Sequence, residues 1–125
     1  MDQFLAQEAT RVLAQQAIRE ILEEIARVRV FGEIQFKAIF DDTHSRYQVI
    51  ATGWEHKIQV LRTVALLEIE HDLIWLHADN TDYGIAEALL KKGIPKESIV
   101  LAFHPPQYRS HSGFATGDHL QPLTK

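Results

Sequence analysis

The sequence predicts a single α+β domain. It begins with a long helix, continues as an antiparallel meander of four strands, and ends with a second helix, a short fifth strand and an extended C-terminal tail. Residues 2–28 hold no glycine or proline and are rich in helix-forming residues. The middle of the chain carries several β-rich runs joined by short polar turns. No linker or repeat divides residues 1–125, and this length is ordinary for one domain.

The N-terminal helix, predicted over residues 2–28, carries apolar residues on two different sides. One set has the i, i+3, i+4, i+7 spacing of a buried face and comprises Ile18, Ile21, Leu22, Ile25 and Val28. The second set, Leu5, Ala9 and Val12, falls on roughly the opposite side at about 100° per residue. One straight helix cannot bury both sets in one core. Either the helix bends near Gln15 and Gln16, or its first half contacts another subunit or a partner protein.

The strands are predicted from alternation and from turn residues. In the first run, Ile34, Phe36, Ala38 and Phe40 alternate with polar residues, as in a half-buried strand. Gly53 suggests a bulge or a bend in the second run. Short polar turns between the runs favour hairpins. The four strands are predicted over residues 33–40, 47–54, 58–70 and 73–77.

The second helix is predicted between an acidic start and a glycine stop. Residues 79–82 offer N-cap candidates, and Lys91 and Lys92 precede Gly93 as a helix end requires. Residues 98–103 then form a short apolar run that suits a fifth strand. From His104 onward the chain has no usable period, so we expect it to run extended over the surface, with residues 118–125 mobile.

Composition excludes several classes of function. The chain has no cysteine, which excludes disulfides, thiol catalysis and thiolate metal sites and suits a cytoplasmic protein. The N-terminus lacks a signal-peptide pattern, and no apolar run approaches the about 20 residues of a membrane span. The net charge is −4 and the basic residues are scattered. Direct binding of nucleic acid by this chain alone is therefore disfavoured.

The seven histidines do not form a metal or catalytic motif. Zinc ligands usually stand close together in sequence, whereas His104, His111 and His119 lie in a segment interrupted by Pro and Gly. Glu68 and Glu70 share one face of a strand, as an exposed sheet face also requires. We therefore predict no catalytic, metal-binding or cofactor-binding residues and expect that the protein is not an enzyme. Arg and aromatic residues in the tail, by contrast, suit a protein interface.

The chain resembles the XisI family, the fdxN element excision controlling factors, most clearly in its second half. The resemblance extends over nearly the whole chain, including the opening helix and the Phe40-Asp41…Tyr47 hairpin. The most specific part runs from Gly93 to Ala115, where uncommon residues recur at fixed spacing. Leu73 departs from the family, which often has lysine there, and residues 118–125 extend beyond the family pattern. The matching residues are Gly53-Trp54, Ile74-Trp75, Asn80-Thr81-Asp82, Ile85-Ala86, Leu89, Gly93-Ile94-Pro95-Lys96, Ile99-Val100-Leu101, Phe103-His104-Pro105-Pro106, Arg109 and Gly113-Phe114-Ala115.

The resemblance implies an accessory or regulatory role in programmed DNA excision, beside an XisH-like partner and a site-specific recombinase. The expected contact residues lie on the tail and on the displaced helix stripe, which also suits a homodimer. They are Leu5, Ala9, Val12, His104, Arg109 and Phe114. Two alternatives stay open: direct DNA binding, and an enzyme in which two or more of His77, His104 and His111 converge with a carboxylate.

Overall fold

The computed structural model describes the backbone of residues 2–9 and all atoms of residues 10–30 and 32–117. The expected mobility of residues 118–125 lies outside this range. The helices and strands are α1 (Asp2–Ala26), β1 (Glu33–Asp41), β2 (Arg46–Glu55), β3 (Ile58–Glu70), β4 (Leu73–Asp79), α2 (Ile85–Lys91) and β5 (Ile99–Leu101). Two short 3₁₀ helices cover Lys96–Ser98 and Pro106–His111.

One sheet contains the five strands in sequence order. β1 to β4 pair antiparallel through hairpins, which confirms the predicted meander and the α+β class. β5 lies parallel to β4, with Ile74 beside Ile99 and Leu76 beside Leu101. A parallel neighbour needs a crossover connection, and α2 with the turn after it provides that connection.

The core lies between α1 and one face of the sheet. Ile18, Ile21 and Leu22 of α1 are fully buried, as their spacing predicts. They belong to the same buried cluster as Tyr47 of β2 and Leu67 of β3, which face the helix. Burying side chains of this size contributes about 1.5–3 kcal/mol each, so this layer is the main source of stability.

α1 is one uninterrupted helix, and its residues 10–13 do not belong to the buried core. The helix has no break at Gln15 or Gln16, and the Gln15 Nε2 donates a hydrogen bond to the Tyr47 hydroxyl at 3.1 Å. Val12 is 56% exposed, so it does not join the core. The side chains of Leu5 and Ala9 lie outside the described residues. The predicted burial of Val28 is wrong: this residue is 53% exposed because α1 ends at Ala26.

Two local features of the sheet differ from the sequence-based prediction. The irregularity between β2 and β3 falls at Val49 and Ile50, where β3 has an extra residue, rather than at Gly53. Gly53 has a φ of 146° and allows β1 to approach closely: a Cβ at this position would lie 1.9 Å from the Glu33 carbonyl oxygen. The glycine is therefore required by a close backbone contact.

The segments around α2 and β5 are also shorter or more ordered than predicted. The N-cap of α2 is Gly84. Asp79 stabilises the start of this helix, because its Oδ2 accepts a hydrogen bond from the Ile85 backbone N–H at 3.0 Å. β5 has three residues, Ile99–Leu101. The tail forms a 3₁₀ helix, Pro106–His111, where we expected extended chain. Proline at its start fixes φ near the helical value.

Candidate protein-interaction surface

The chain after β5, which we call the C-terminal segment (residues 102–117), is held against the sheet by Arg109. This side chain is only 7% exposed. Its guanidinium donates hydrogen bonds to the backbone carbonyls of His104 (3.1 Å), Ala102 (3.4 Å) and Thr116 (3.5 Å). It also lies over the indole ring of Trp75, 5.8 Å from the ring centroid. One buried cation thus joins both ends of the segment to β4.

Two further contacts fix the far end of the C-terminal segment. The Ala115 backbone N–H donates to the Ile99 carbonyl at 2.8 Å, and Ala115 forms a parallel bridge with Val100. Gly117 lies directly against the ring of Trp75, where a Cβ would come within 2.5 Å of it. The segment is therefore held at its start, middle and end.

The anchored segment presents aromatic side chains to the outside. Tyr108 is 60% exposed, and Phe103 and His104 are exposed beside it in sequence. The Phe103 and His104 rings contact each other, with centroids 4.6 Å apart. We call Phe103, His104 and Tyr108 the aromatic ridge. Exposed aromatics on a fixed backbone lose little side-chain entropy on binding, which is typical of interface anchors.

The expected contact residues on the tail separate into two groups. His104 is exposed on the aromatic ridge. Arg109 is buried under the segment, so we assign it to anchoring rather than to direct contact. Phe114 is half-buried and packs against the core, with the Lys96 Nζ 5.5 Å from its ring centroid. Nothing in the sequence indicates that Arg109 points inward, because its carbonyl and indole partners come from separate stretches of chain.

The histidines of the enzyme alternative have different surroundings. His77 contacts a carboxylate, with its Nε2 2.7 Å from the Glu68 Oε1. His104 lies against Phe103, and His111 is exposed at the end of the 3₁₀ helix. Within the part of the chain that the structure describes, no three His, Asp or Glu side chains are placed to hold a metal ion.

Glu68 connects two cationic or titratable side chains on the face of the sheet away from α1. Its Oε2 accepts a hydrogen bond from the Arg46 Nε at 2.8 Å, and its Oε1 contacts His77. Burial raises the pKa of Glu68, but the hydrogen bonds from Arg46 and His77 outweigh burial and hold that pKa below its usual value. A lowered folded-state pKa stabilises the fold above the unfolded-state pKa of about 4.3, and this contribution is lost as the pH falls through the folded-state pKa.

We expect Glu68→Gln to lower the free energy of unfolding at neutral pH by about 0.5–1 kcal/mol, because the pair is partly exposed and screened. The difference from the wild type should shrink in acid, as the pH falls through the lowered folded-state pKa of Glu68. Urea denaturation at neutral pH and at a series of acidic pH values measures this. Glu70→Gln, at an exposed position of the same strand, is the matched control and should change little. A Glu68→Gln effect that persists unchanged in acid would contradict this role.

Two apolar clefts flank α1. The first lies between the end of α1, strands β1 and β3, and the loop before α2. We call it the α1–β3 cleft, and its volume is about 360 Å³. The second is about 350 Å³ and is lined by Leu13 and Ala14 of α1 together with Ile94 and Pro95 after α2. Leu13 is about half exposed and follows the exposed Val12, so this second cleft opens onto exposed apolar side chains of α1. The α1–β3 cleft is lined by Ile25, Val28, Phe36, Val64, Asn80, Thr81, Asp82 and Tyr83.

These features define a helix-covered α+β domain with an anchored, aromatic C-terminal segment. The chain matches the XisI protein family over residues 10–116 and belongs to that family. The match includes almost all of the C-terminal segment, as the sequence resemblance predicted. No helix among the described residues is long and apolar enough to cross a membrane.

Two crystal structures from Anabaena variabilis are similar to this chain. The fdxN element excision controlling factor XisI is 27% identical, with a TM-score of 0.75, over 86% of this chain and 98% of its own. An XisI-like protein is 28% identical, with a TM-score of 0.79, over 84% of this chain and 97% of its own. No functionally curated protein matches the sequence.

Proposed function

We propose that this chain is a non-catalytic accessory factor of programmed DNA excision that acts in the cytoplasm by binding an XisH-like protein, beside a site-specific recombinase. Two findings support the excision role: membership of the XisI family and the similarity to a protein named as an excision controlling factor. The single observation that supports binding is the aromatic ridge, which the buried Arg109 holds in a fixed position.

The aromatic ridge suits a protein partner better than a nucleic acid. Phe103 and Tyr108 supply apolar area, and Tyr108 adds a hydroxyl at one edge, as interface anchors do. The only full positive charge on the described part of the segment, Arg109, is buried. A phosphate backbone would need exposed cations at this surface. The charge of the surface therefore favours a protein.

A second contact area lies on α1. Val12 is exposed on the side of the helix away from the core, and Leu13 lies beside the second cleft. Exposed apolar side chains on a helix commonly mark a surface that binds a partner, and Leu5 and Ala9 would extend such a stripe. An XisH-like protein that contacts this stripe and the aromatic ridge would cover two separate parts of the surface.

Co-expression with a tagged XisH-like protein tests the proposal. We expect this chain to be retained with the tagged protein and to elute with it as a complex of defined mass in size-exclusion chromatography with light scattering. Because the contact is apolar, the complex should persist at raised salt. A chain that is never retained would overturn the proposal. Tight binding to a duplex DNA probe at low salt, lost steeply as salt rises, would favour the DNA-binding alternative.

A further inference from the structure

One part of the sheet edge is open next to the α1–β3 cleft. β4 pairs with β3 only over Ala65–Glu70. Just before that, the Asn80 backbone N–H donates to the Val64 carbonyl (2.8 Å), and the Asn80 Nδ2 donates to the Thr63 carbonyl (3.0 Å). Among the described residues, no strand lies beside Ile58–Arg62 on the side away from β2. We call Ile58–Arg62 the free edge.

The free edge is apolar and exposed. Ile58 and Leu61 are each 69% exposed, more than any other large hydrophobic residue among those described. An open strand edge presents unpaired backbone N–H and C=O groups that template the addition of another strand. Natural edges are usually protected by proline, a bulge or an inward-pointing charge. The free edge has no proline, and its regular register with β2 contains no bulge. Its one charge is Arg62, which lies on the same side of the sheet as Val60 and is the single protecting charge within Ile58–Arg62.

We propose that a second copy of this chain pairs antiparallel with the free edge, so that two sheets join into one. The turn at His56 and Lys57 limits the edge on one side, and Asn80 limits it on the other. The centre of the open stretch is therefore Val60. A two-fold axis beside Val60 places Ile58 of one copy opposite Arg62 of the other, and Gln59 opposite Leu61.

This register makes the surfaces of the two copies complementary on the α1 side of the sheet. Val60 faces α1, because it pairs through Gly53 with the buried Ile34. Ile58, two residues away, points to the same side. In the dimer, Ile58 of one copy lies opposite Arg62 of the other. It therefore comes beside the α1–β3 cleft of that other copy, whose lining includes Val64. An exposed isoleucine thus meets an apolar cleft of about 360 Å³, twice in each dimer.

The charges also match in this register. Lys57, next to Ile58, approaches Asp82 at the rim of the cleft in the other copy. Glu55 of β2 pairs with Ile58 of β3, so it lies in the same row as Arg62 of the second copy, with Ile58 between them. Lys57 and Asp82 are of opposite charge, as are Glu55 and Arg62, and the two-fold axis repeats both arrangements. This complementarity identifies a second copy as the occupant of the free edge.

The dimer should be weak and concentration-dependent. A ladder of five residues by itself buries less than the about 800 Å² per partner of a stable interface, so the cleft contacts are needed to complete it. We expect a Kd on the order of 10 µM. This contact is distinct from the aromatic ridge and does not rest on the proposed excision role.

Sedimentation equilibrium of the wild type and of Ile58→Asp tests the interface. The wild type should dimerise, and Ile58→Asp should raise the dimer Kd about a hundredfold, because each dimer loses two apolar contacts worth about tenfold each. Ile39→Asp, at another exposed isoleucine on β1, is the matched control and should dimerise like the wild type. A wild type that stays monomeric up to about 1 mM, or an Ile58→Asp variant that dimerises normally, would overturn the proposal.

The register can be tested by cross-linking, since the chain contains no native cysteine. Directly opposed residues of an antiparallel pair lie about 4.5–5.5 Å apart between Cα atoms, within the range that a disulfide spans. Val60→Cys should therefore form an intermolecular disulfide under mild oxidation, and Leu61→Cys should form much less. Efficient cross-linking of Leu61→Cys, with none for Val60→Cys, would rule out pairing about Val60.

Discussion

Replacing Arg109 with alanine is expected to lower the free energy of unfolding by about 2–4 kcal/mol. The guanidinium is buried and serves three backbone carbonyls, of His104, Ala102 and Thr116, as well as the face of Trp75. Hydrogen bonds from a charged donor contribute more than neutral ones, and their loss leaves buried acceptors without a partner. Two of the three bonds are long, so the loss is smaller than three full bonds would give. Urea denaturation followed by circular dichroism measures it.

The control for Arg109 is Arg27→Ala, at a position after α1. This change should alter stability by less than about 0.5 kcal/mol. Arg109→Lys should recover only part of the loss, because an ammonium group cannot direct bonds to three separated carbonyls as a planar guanidinium does. An Arg109→Ala variant as stable as the wild type would contradict the anchoring role. It would return Arg109 to the set of contact residues.

Replacing Gly53 with alanine is expected to lower the free energy of unfolding by on the order of 3 kcal/mol. The φ of 146° is disfavoured for any residue with a side chain. In addition, the new Cβ would lie 1.9 Å from the Glu33 carbonyl oxygen, and this atom belongs to the backbone of the neighbouring strand. β1 must therefore move or lose its first pairs with β2. Thermal and urea denaturation both report the change.

Gly93→Ala separates the clash from the backbone strain. Gly93 also has a positive φ, of 95°, but a Cβ at this position would have no described atom within 4 Å apart from those of its chain neighbours. Its substitution should cost about 1 kcal/mol, from the strain of the left-handed conformation alone. If Gly53→Ala were no more damaging than Gly93→Ala, the close approach of β1 at Gly53 would not be a real constraint on the fold.

The helix and the meander could be predicted because their signals are local. Apolar residues such as Ile18, Ile21 and Leu22 recur at helical spacing, and the strands alternate between short polar turns. The 3₁₀ helix at Pro106–His111 could not be predicted this way. It depends on Arg109, whose partners lie in β4 and at both ends of the C-terminal segment. Periodicity carries no information about such contacts.

The candidate surfaces were predicted only in part for the same reason. The displaced stripe on α1 left two outcomes open, a bend near Gln15 and Gln16 or a first half outside the core, and only the structure shows one uninterrupted helix with Val12 exposed. For an arginine among aromatic residues, the sequence cannot tell whether the side chain points outward to a partner or inward to backbone carbonyls. The free edge was missed because a strand prediction for 58–70 does not say which residues of that strand have a second neighbour.

The measurement that tests the account most directly is the affinity of an XisH-like protein for the wild type and for Tyr108→Ala, by isothermal titration calorimetry. Tyr83→Ala, an exposed tyrosine on the α1–β3 cleft, is the matched control. If the aromatic ridge is the contact surface, the wild type and Tyr83→Ala bind alike and Tyr108→Ala binds at least about tenfold more weakly while keeping its fold. Equal affinity of all three proteins, or no binding by the wild type, would contradict the account.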